Sequence, residues 1–255
     1  MKWFKWSSSY TECIKHSLVT FVLLAIPKVV LAFNFQPEQH EWYAWAPYCQ
    51  ARYVETQVGR ASAFKDMVPS STVSYWKQSI PHDTWLHLHH YCAGVIWLQR
   101  AQFGDTTQPT GFVLDKAIQE MNYTMRNIPA SSQIANKVAA DLATALMEKG
   151  EDAQAQRLLS RQIESQPQGE QAYLASALVF HRSGNYSKAL VILQQGLANV
   201  VNPSAELYYM IGLVSVDLNK FAEAADYASK AYEMGYPLPG LKDRLIRSGH
   251  WPENQ

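Results

Sequence analysis

Along the last half of the chain, apolar and polar positions follow a helical period in paired blocks. Each pair is a helix with a small residue at its centre, a tight turn, and an amphipathic helix carrying alanine. The clearest pair has Gly212 in its first helix, Asn219 and Lys220 at the turn, and Ala224 and Ala231 in its second. The pair before it has Ala177, then Gly184 and Asn185, then Ala189 and Gly196. Ala189 and Ala224 stand 35 positions apart, as do Gly196 and Ala231. An earlier copy, with Ala143, Gly150, Glu151 and Ala155, precedes by 34 positions. A hairpin of this size presents one apolar stripe per helix and cannot bury both alone, so it stacks on its neighbour. A repeat of this period therefore predicts a helical solenoid.

Small residues are required where the two helices of a hairpin cross, and Gly212, Ala177, Ala224 and Ala189 occupy such points. Tyr173 and Tyr208, each four residues before the small position, are large enough to fill the gaps between layers. These residues at this spacing resemble the tetratricopeptide repeat, with copies at residues 136–168, 170–202 and 205–237. The resemblance implies an all-α, right-handed superhelical solenoid whose first helices line a concave surface. Counting from Asn136, Glu170 and Ala205, the inward second, fifth, ninth, twelfth and thirteenth positions are Lys137, Ala140, Thr144, Met147 and Glu148 in the first copy. They are Gln171, Leu174, Leu178, His181 and Arg182 in the second, and Glu206, Tyr209, Leu213, Val216 and Asp217 in the third. The expected groove has an apolar floor and a charged edge, which suits an extended or helical peptide with apolar anchors. Ala140, Leu174 and Tyr209 stand at the fifth positions, so the carboxylate clamp of the chaperone-binding members is absent and recognition of an acidic tail through it is in doubt. An N-terminal segment folded into the groove is the alternative occupant.

Upstream, residues 87–129 read as a looser hairpin, with Gly94 at the small position and Ala117 where the alanine belongs. Its surplus length maps to an inserted loop over 101–111, rich in Gly, Thr and Pro. Residues 33–86 carry dense aromatics and read as a helical cap over the open face of the first hairpin; solenoids need such caps for solubility. Residues 241–255 read as a short amphipathic capping helix and tail.

The first 32 residues change the picture of where the protein works. Lys2, Lys5 and Lys15 precede an apolar run at 18–26, and Val30, Leu31 and Ala32 fit the small-residue rule for cleavage. This is the layout of a secretory signal; the run is short for a spanning helix, and an uncleaved inner-membrane anchor is the rival. The expected address is bacterial periplasm or secretion, with no membrane span once the signal is removed. Cys49 and Cys92 then remain in an exported chain and most simply form a disulfide, two buried thiols being the alternative.

Lys+Arg and Asp+Glu balance at 22 each with no basic stripe, which argues against nucleic acid as partner. The charged fraction of 17% is low against 12% aromatic, and much of that apolar surface lies before residue 100. His82, His87, His89 and His90 crowd beside Cys92, and His82, His87 and His90 offer an alternative reading as a metal or haem site. Their spacing matches no closed four-ligand set. No phosphate-binding glycine loop and no nucleophile elbow occurs, so no catalytic residue and no cofactor is assigned; His82 with Asp83 would be the first place to look. The residues thus predict a non-catalytic, protein-binding scaffold. Exported members of the resembled family commonly assist assembly of pili, secretion machines or surface polysaccharides, and nothing here chooses among those.

Overall fold

Helix breakers and caps divide the chain into short cap helices and longer helical hairpins. In the computed structural model, which describes residues 33–104 and 107–251, Pro47 opens α2 (Pro47–Val54) and the Thr56 side chain caps α3 (Gln57–Ala61). With α1 (Gln39–Ala44) and α4 (Ser70–Ser79), these short helices form the aromatic-rich cap. The segment expected to be an export signal lies outside the described residues.

Four hairpins follow: α5 (His82–Phe103) with α6 (Thr110–Asn127), α7 (Ala135–Glu148) with α8 (Asp152–Ser165), α9 (Glu170–Arg182) with α10 (Tyr186–Asn199), and α11 (Ala205–Asp217) with α12 (Phe221–Glu233). A short α13 (Gly240–Arg247) ends the series, and all regular structure among the described residues is helical. The solenoid is therefore all-α.

The repeat shows in the turns. The N–H groups of Glu151, Asn185 and Lys220 donate to the carbonyls of Leu146, Phe180 and Ser215 at 2.8, 2.9 and 2.9 Å, the same helix-ending bond each time. It requires a left-handed residue just before the donor, and Gly150, Gly184 and Asn219 supply φ of 82°, 72° and 58°. Asparagine tolerates that region better than other side-chain-bearing residues, which is why the third copy keeps the turn without glycine.

The first hairpin differs from expectation in where its surplus goes. α5 starts at His82, after Pro81, and runs unbroken until Gly104 takes the left-handed region at φ 67°. α6 starts at Thr110, after Pro109. The residues expected as a loop at 101–111 are thus partly helical, and the surplus is mostly helix: 22 and 18 residues against 13 or 14 in the later hairpins. No proline stands between Pro81 and Gly104, and Gly94 sits at the tight crossing with α6, so helical bonding continues through the span. The crossing is nonetheless that of the repeat. A Cβ built on Gly94 would lie 3.2 Å from the Ala117 carbonyl oxygen, and one on Gly212 would lie 3.2 Å from that of Ala224.

Cap and solenoid share one core. Phe35, Trp42, Trp45, Tyr53, Trp85 and Tyr91 belong to a single buried cluster that extends through α7 and α8 to Val179 in α9. The Trp42 and Phe64 rings stack at 4.5 Å, and the Trp45 indole donates to the Cys92 carbonyl at 3.1 Å. Cys49 and Cys92 are buried with their sulfurs at bonding distance, 1.94 Å, tying α2 to α5. Arg100 makes a bidentate contact to the buried Glu41, with Nε to Oε1 at 2.6 Å and Nη2 to Oε2 at 2.7 Å, tying α1 to α5.

Candidate functional site

The groove positions recur at three- and four-residue steps along each first helix, so each set falls on one helical face. The structure joins successive first helices through the polar ends of those faces. The Tyr91 hydroxyl in α5 donates to Asp141 Oδ2 in α7 at 2.7 Å, and Lys137 stands 3.5 Å from the same oxygen. Arg182 in α9 reaches Glu148 in α7 at 3.4 Å. His181 Nε2 lies 2.7 Å from Asp217 Oδ2 in α11, whose other oxygen accepts from Arg244 Nη2 in α13 at 2.6 Å. Five first-helix or capping elements are thus stitched edge to edge. Burial, and after it the Asp141 carboxylate, hold the Tyr91 hydroxyl well above the usual phenol range, so it stays a donor.

Three of the expected groove residues are not surface at all. Met147 is 1% exposed and lies in the core beneath α7. Tyr209 is 8% exposed because the segment after α12 folds back over it: the Tyr236 ring stacks on it at 4.2 Å and Gly240 abuts its hydroxyl. Val216 is buried in the same cluster. A periodic count from the helix start does not know that the chain returns to cover the last repeat. What faces outward is Leu178, 37% exposed, with Leu174, Leu213 and Thr144 half-buried around it. Lys137, Gln171, Arg182 and Glu206 are exposed at the margins, while His181 and Asp217 are half-buried in their contact.

At the edge where α7, α9 and α11 begin, a trough of 840 Å³ is lined by Asn136, Gln168, Gln171, Val201, Asn202 and Ser204 among others. Its wall is built by cross-repeat capping. Glu170 accepts from the Ser204 N–H at 2.8 Å and contacts its hydroxyl, which in turn caps α11. Gln171 joins this trough to the groove face.

The crowded histidines take separate partners, although the His89 and His90 rings lie 4.3 Å apart. His82 stands at the exposed start of α5, His87 tilts against Tyr123 at 5.6 Å, and His90 Nδ1 contacts Glu120 Oε2 at 2.5 Å. Cys92 is engaged with Cys49. Among the described residues no group of three or more His, Cys, Asp or Glu side chains is placed to hold a metal ion. His89 is packed edge-on against Phe33 at 4.6 Å; burial, with the positive charge of Arg52 adding to it, pushes its imidazole down to about 2.

No family model matches the chain, and no curated protein matches it. Among solved structures, a thermophilic tetratricopeptide-repeat protein of Thermus thermophilus, TTC0263, superposes with a TM-score of 0.50 over 80% of this chain and 98% of that one, at 17% identity. A tetratricopeptide-repeat protein from Parabacteroides merdae aligns at 0.47 and 17% identity, covering 77% of this chain and 78% of that one. MamA of Desulfovibrio magneticus RS-1 aligns at 0.45 and 15% identity, covering 67% and 88%. With the turn and crossing geometry above, the likeness to TTC0263 identifies the fold: the chain has the helical-hairpin solenoid fold of tetratricopeptide-repeat proteins.

Proposed function

We propose that the protein is a non-catalytic scaffold that holds a peptide or protein partner along α7, α9 and α11. The observation that carries this reading is the strip of Leu174, Leu178 and Leu213 that the chain leaves partly uncovered, bordered by Lys137, Gln171, Arg182 and Glu206. Apolar anchors flanked by hydrogen-bonding groups suit a partner with apolar side chains on one face. The clamp chemistry for acidic tails remains missing, since Ala140, Leu174 and Tyr209 hold the fifth positions. The place of work we infer is the bacterial cell envelope, on the strength of the export-like segment before Phe33 and of an oxidised Cys49–Cys92 pair, which persists in such compartments. Among the described residues no helix is long and apolar enough to cross a membrane.

The test is affinity capture from envelope extract with wild type and Leu178→Glu side by side. Leu178 is exposed, so the variant should keep its helicity by circular dichroism and lose the captured partner. A partner retained equally by both would rule out this groove. N-terminal sequencing of protein recovered from the envelope should begin at Phe33; intact Met1 on protein released in soluble form would count against the export reading.

A further inference from the structure

The cap holds a cationic pocket that the groove reading does not use. Between α2, α3, α4 and the start of α5, a recess of 470 Å³ is lined by Arg52, Arg60, Lys77 and His82 around a single carboxylate, Glu55. Glu55 is already committed on both oxygens: Lys77 Nζ reaches Oε1 at 2.8 Å and the Trp85 indole donates to Oε2 at 2.8 Å. Arg52 spends Nε and Nη2 on the carbonyls of Trp85 and Leu86, at 2.7 and 3.1 Å, and Arg60 donates to the Glu55 carbonyl. Among the described residues no carboxylate lies within ion-pair distance of either arginine. Two guanidinium charges therefore face one recess with only backbone dipoles and a preoccupied glutamate to offset them.

The recess continues, through shared Val54 and Glu55, into a second of 570 Å³ whose wall includes Val68 and Val73. Besides Glu55, the charges of this second recess, Lys65 and Asp66, pair with each other at 3.8 Å. Cationic ground thus adjoins apolar ground along one flank of α4.

We propose that this flank binds an acidic peptide segment, its carboxylates at Arg52, Arg60 and Lys77 and a neighbouring apolar side chain against Val54, Val68 and Val73. The apolar wall at Val68 and Val73 favours a peptide over a free inorganic anion, because only the peptide brings a neighbouring side chain to fill it. Arg60 commits only Nη1 to the backbone, so its Nε–Nη2 edge suits a carboxylate, while Arg52, oriented by the Trp85 and Leu86 carbonyls, adds its charge. The positive field also reaches α5: His87 is held below its ordinary value by burial first, then by His90 and Arg52, so a bound anion should relieve part of that shift.

The experiment is fluorescence anisotropy with a fluorescein-labelled peptide, Gly-Val-Val-Ala-Asp-Glu-Asp, and its Asn/Gln counterpart, on the purified protein at low salt. The acidic peptide should bind at one site, and the exposed-residue variant Arg60→Ala/Lys77→Ala should weaken it by about tenfold or more. The neutral peptide should bind as poorly as the variant does, and Leu178→Glu should bind like wild type, which separates this site from the groove. In proton spectra the His87 titration should move to higher pH on saturation. Equal binding of the neutral peptide, an unaffected double variant, or no binding at all would overturn the proposal. So would inorganic phosphate that competes as strongly as the peptide, or anionic phosphatidylglycerol vesicles captured through Arg60 and Lys77 in the absence of peptide binding.

Discussion

At Gly94 and Gly212 the space for a single methyl group separates a packed hairpin from a strained one. An added Cβ would meet Met121 Cγ at 2.7 Å in the first case and Leu241 Cδ2 at 2.6 Å in the second, besides the facing carbonyls. Either Gly→Ala change should cost about 1–3 kcal/mol by overpacking, read as a lower urea midpoint. For Gly212→Ala the strained contact is with α13, so hydrogen exchange in α13 should rise more than in α9. His89 carries a second residue-scale expectation. Its Nδ1 is buried without a hydrogen-bond partner among the described residues, and its folded value of about 2 lies below the ordinary 6.5. The unfolded chain therefore binds the extra proton: stability is full above about pH 6.5 and falls as pH drops below it. From pH 7 to pH 5 this one group should remove about 2 kcal/mol, and His89→Gln should flatten that slope in urea titrations. The small residues at the crossings were legible from period alone. The state of His89 was not, because it depends on Phe33 and Arg52, which come from distant parts of the chain.

Among the elements, the cap is the part whose position depends most on specific contacts. α1 is held to α5 by the Glu41–Arg100 pair, whose guanidinium also lies over the Phe35 and Trp97 rings at 5.3 and 4.6 Å. Truncation by Arg100→Ala leaves a buried carboxylate unpaired and should cost about 3–5 kcal/mol, whereas Arg100→Ala/Glu41→Ala should recover part of it in the same denaturation assay. The other end of the solenoid is closed by α13, with Leu241 and Leu245 fully buried against α11 and α12. Hairpin existence, turn chemistry and the capping role of the last helix follow from local pattern: breakers, left-handed turn residues and an amphipathic stripe. The expected loop at 101–111 is shortened at both ends, because α5 continues until Gly104 and α6 starts directly after Pro109.

For the whole molecule, the sulfur bridge joins the cap to the first hairpin across 43 positions. Reduction should lower stability by about 2–4 kcal/mol, seen as a shift in melting temperature with and without dithiothreitol; Cys49→Ser/Cys92→Ser should melt at the reduced value in both buffers. The core that this bridge enters runs from Phe35 to Val179 without a break, so cap, first hairpin and second hairpin should unfold together.

The sequence alone determined the repeat period, the helix pairs, the small-residue crossings and the two cysteines available to pair. Each of these is set by local periodicity or by a short list of candidates. Tertiary structure decided which periodic positions remain surface. Tyr209 and Met147 satisfy the groove count yet are buried, one beneath the returning C-terminal segment and one in the core. The ladder of Tyr91, Asp141, Glu148, Arg182, His181, Asp217 and Arg244 likewise exists only once helices whose bonded residues are 27 to 50 positions apart lie side by side. So does the cationic recess, whose Arg52, Arg60, Lys77 and His82 come from four helices and form no motif along the chain. Periodicity specifies a face within one helix; which faces meet, and which are covered, is set by packing between helices.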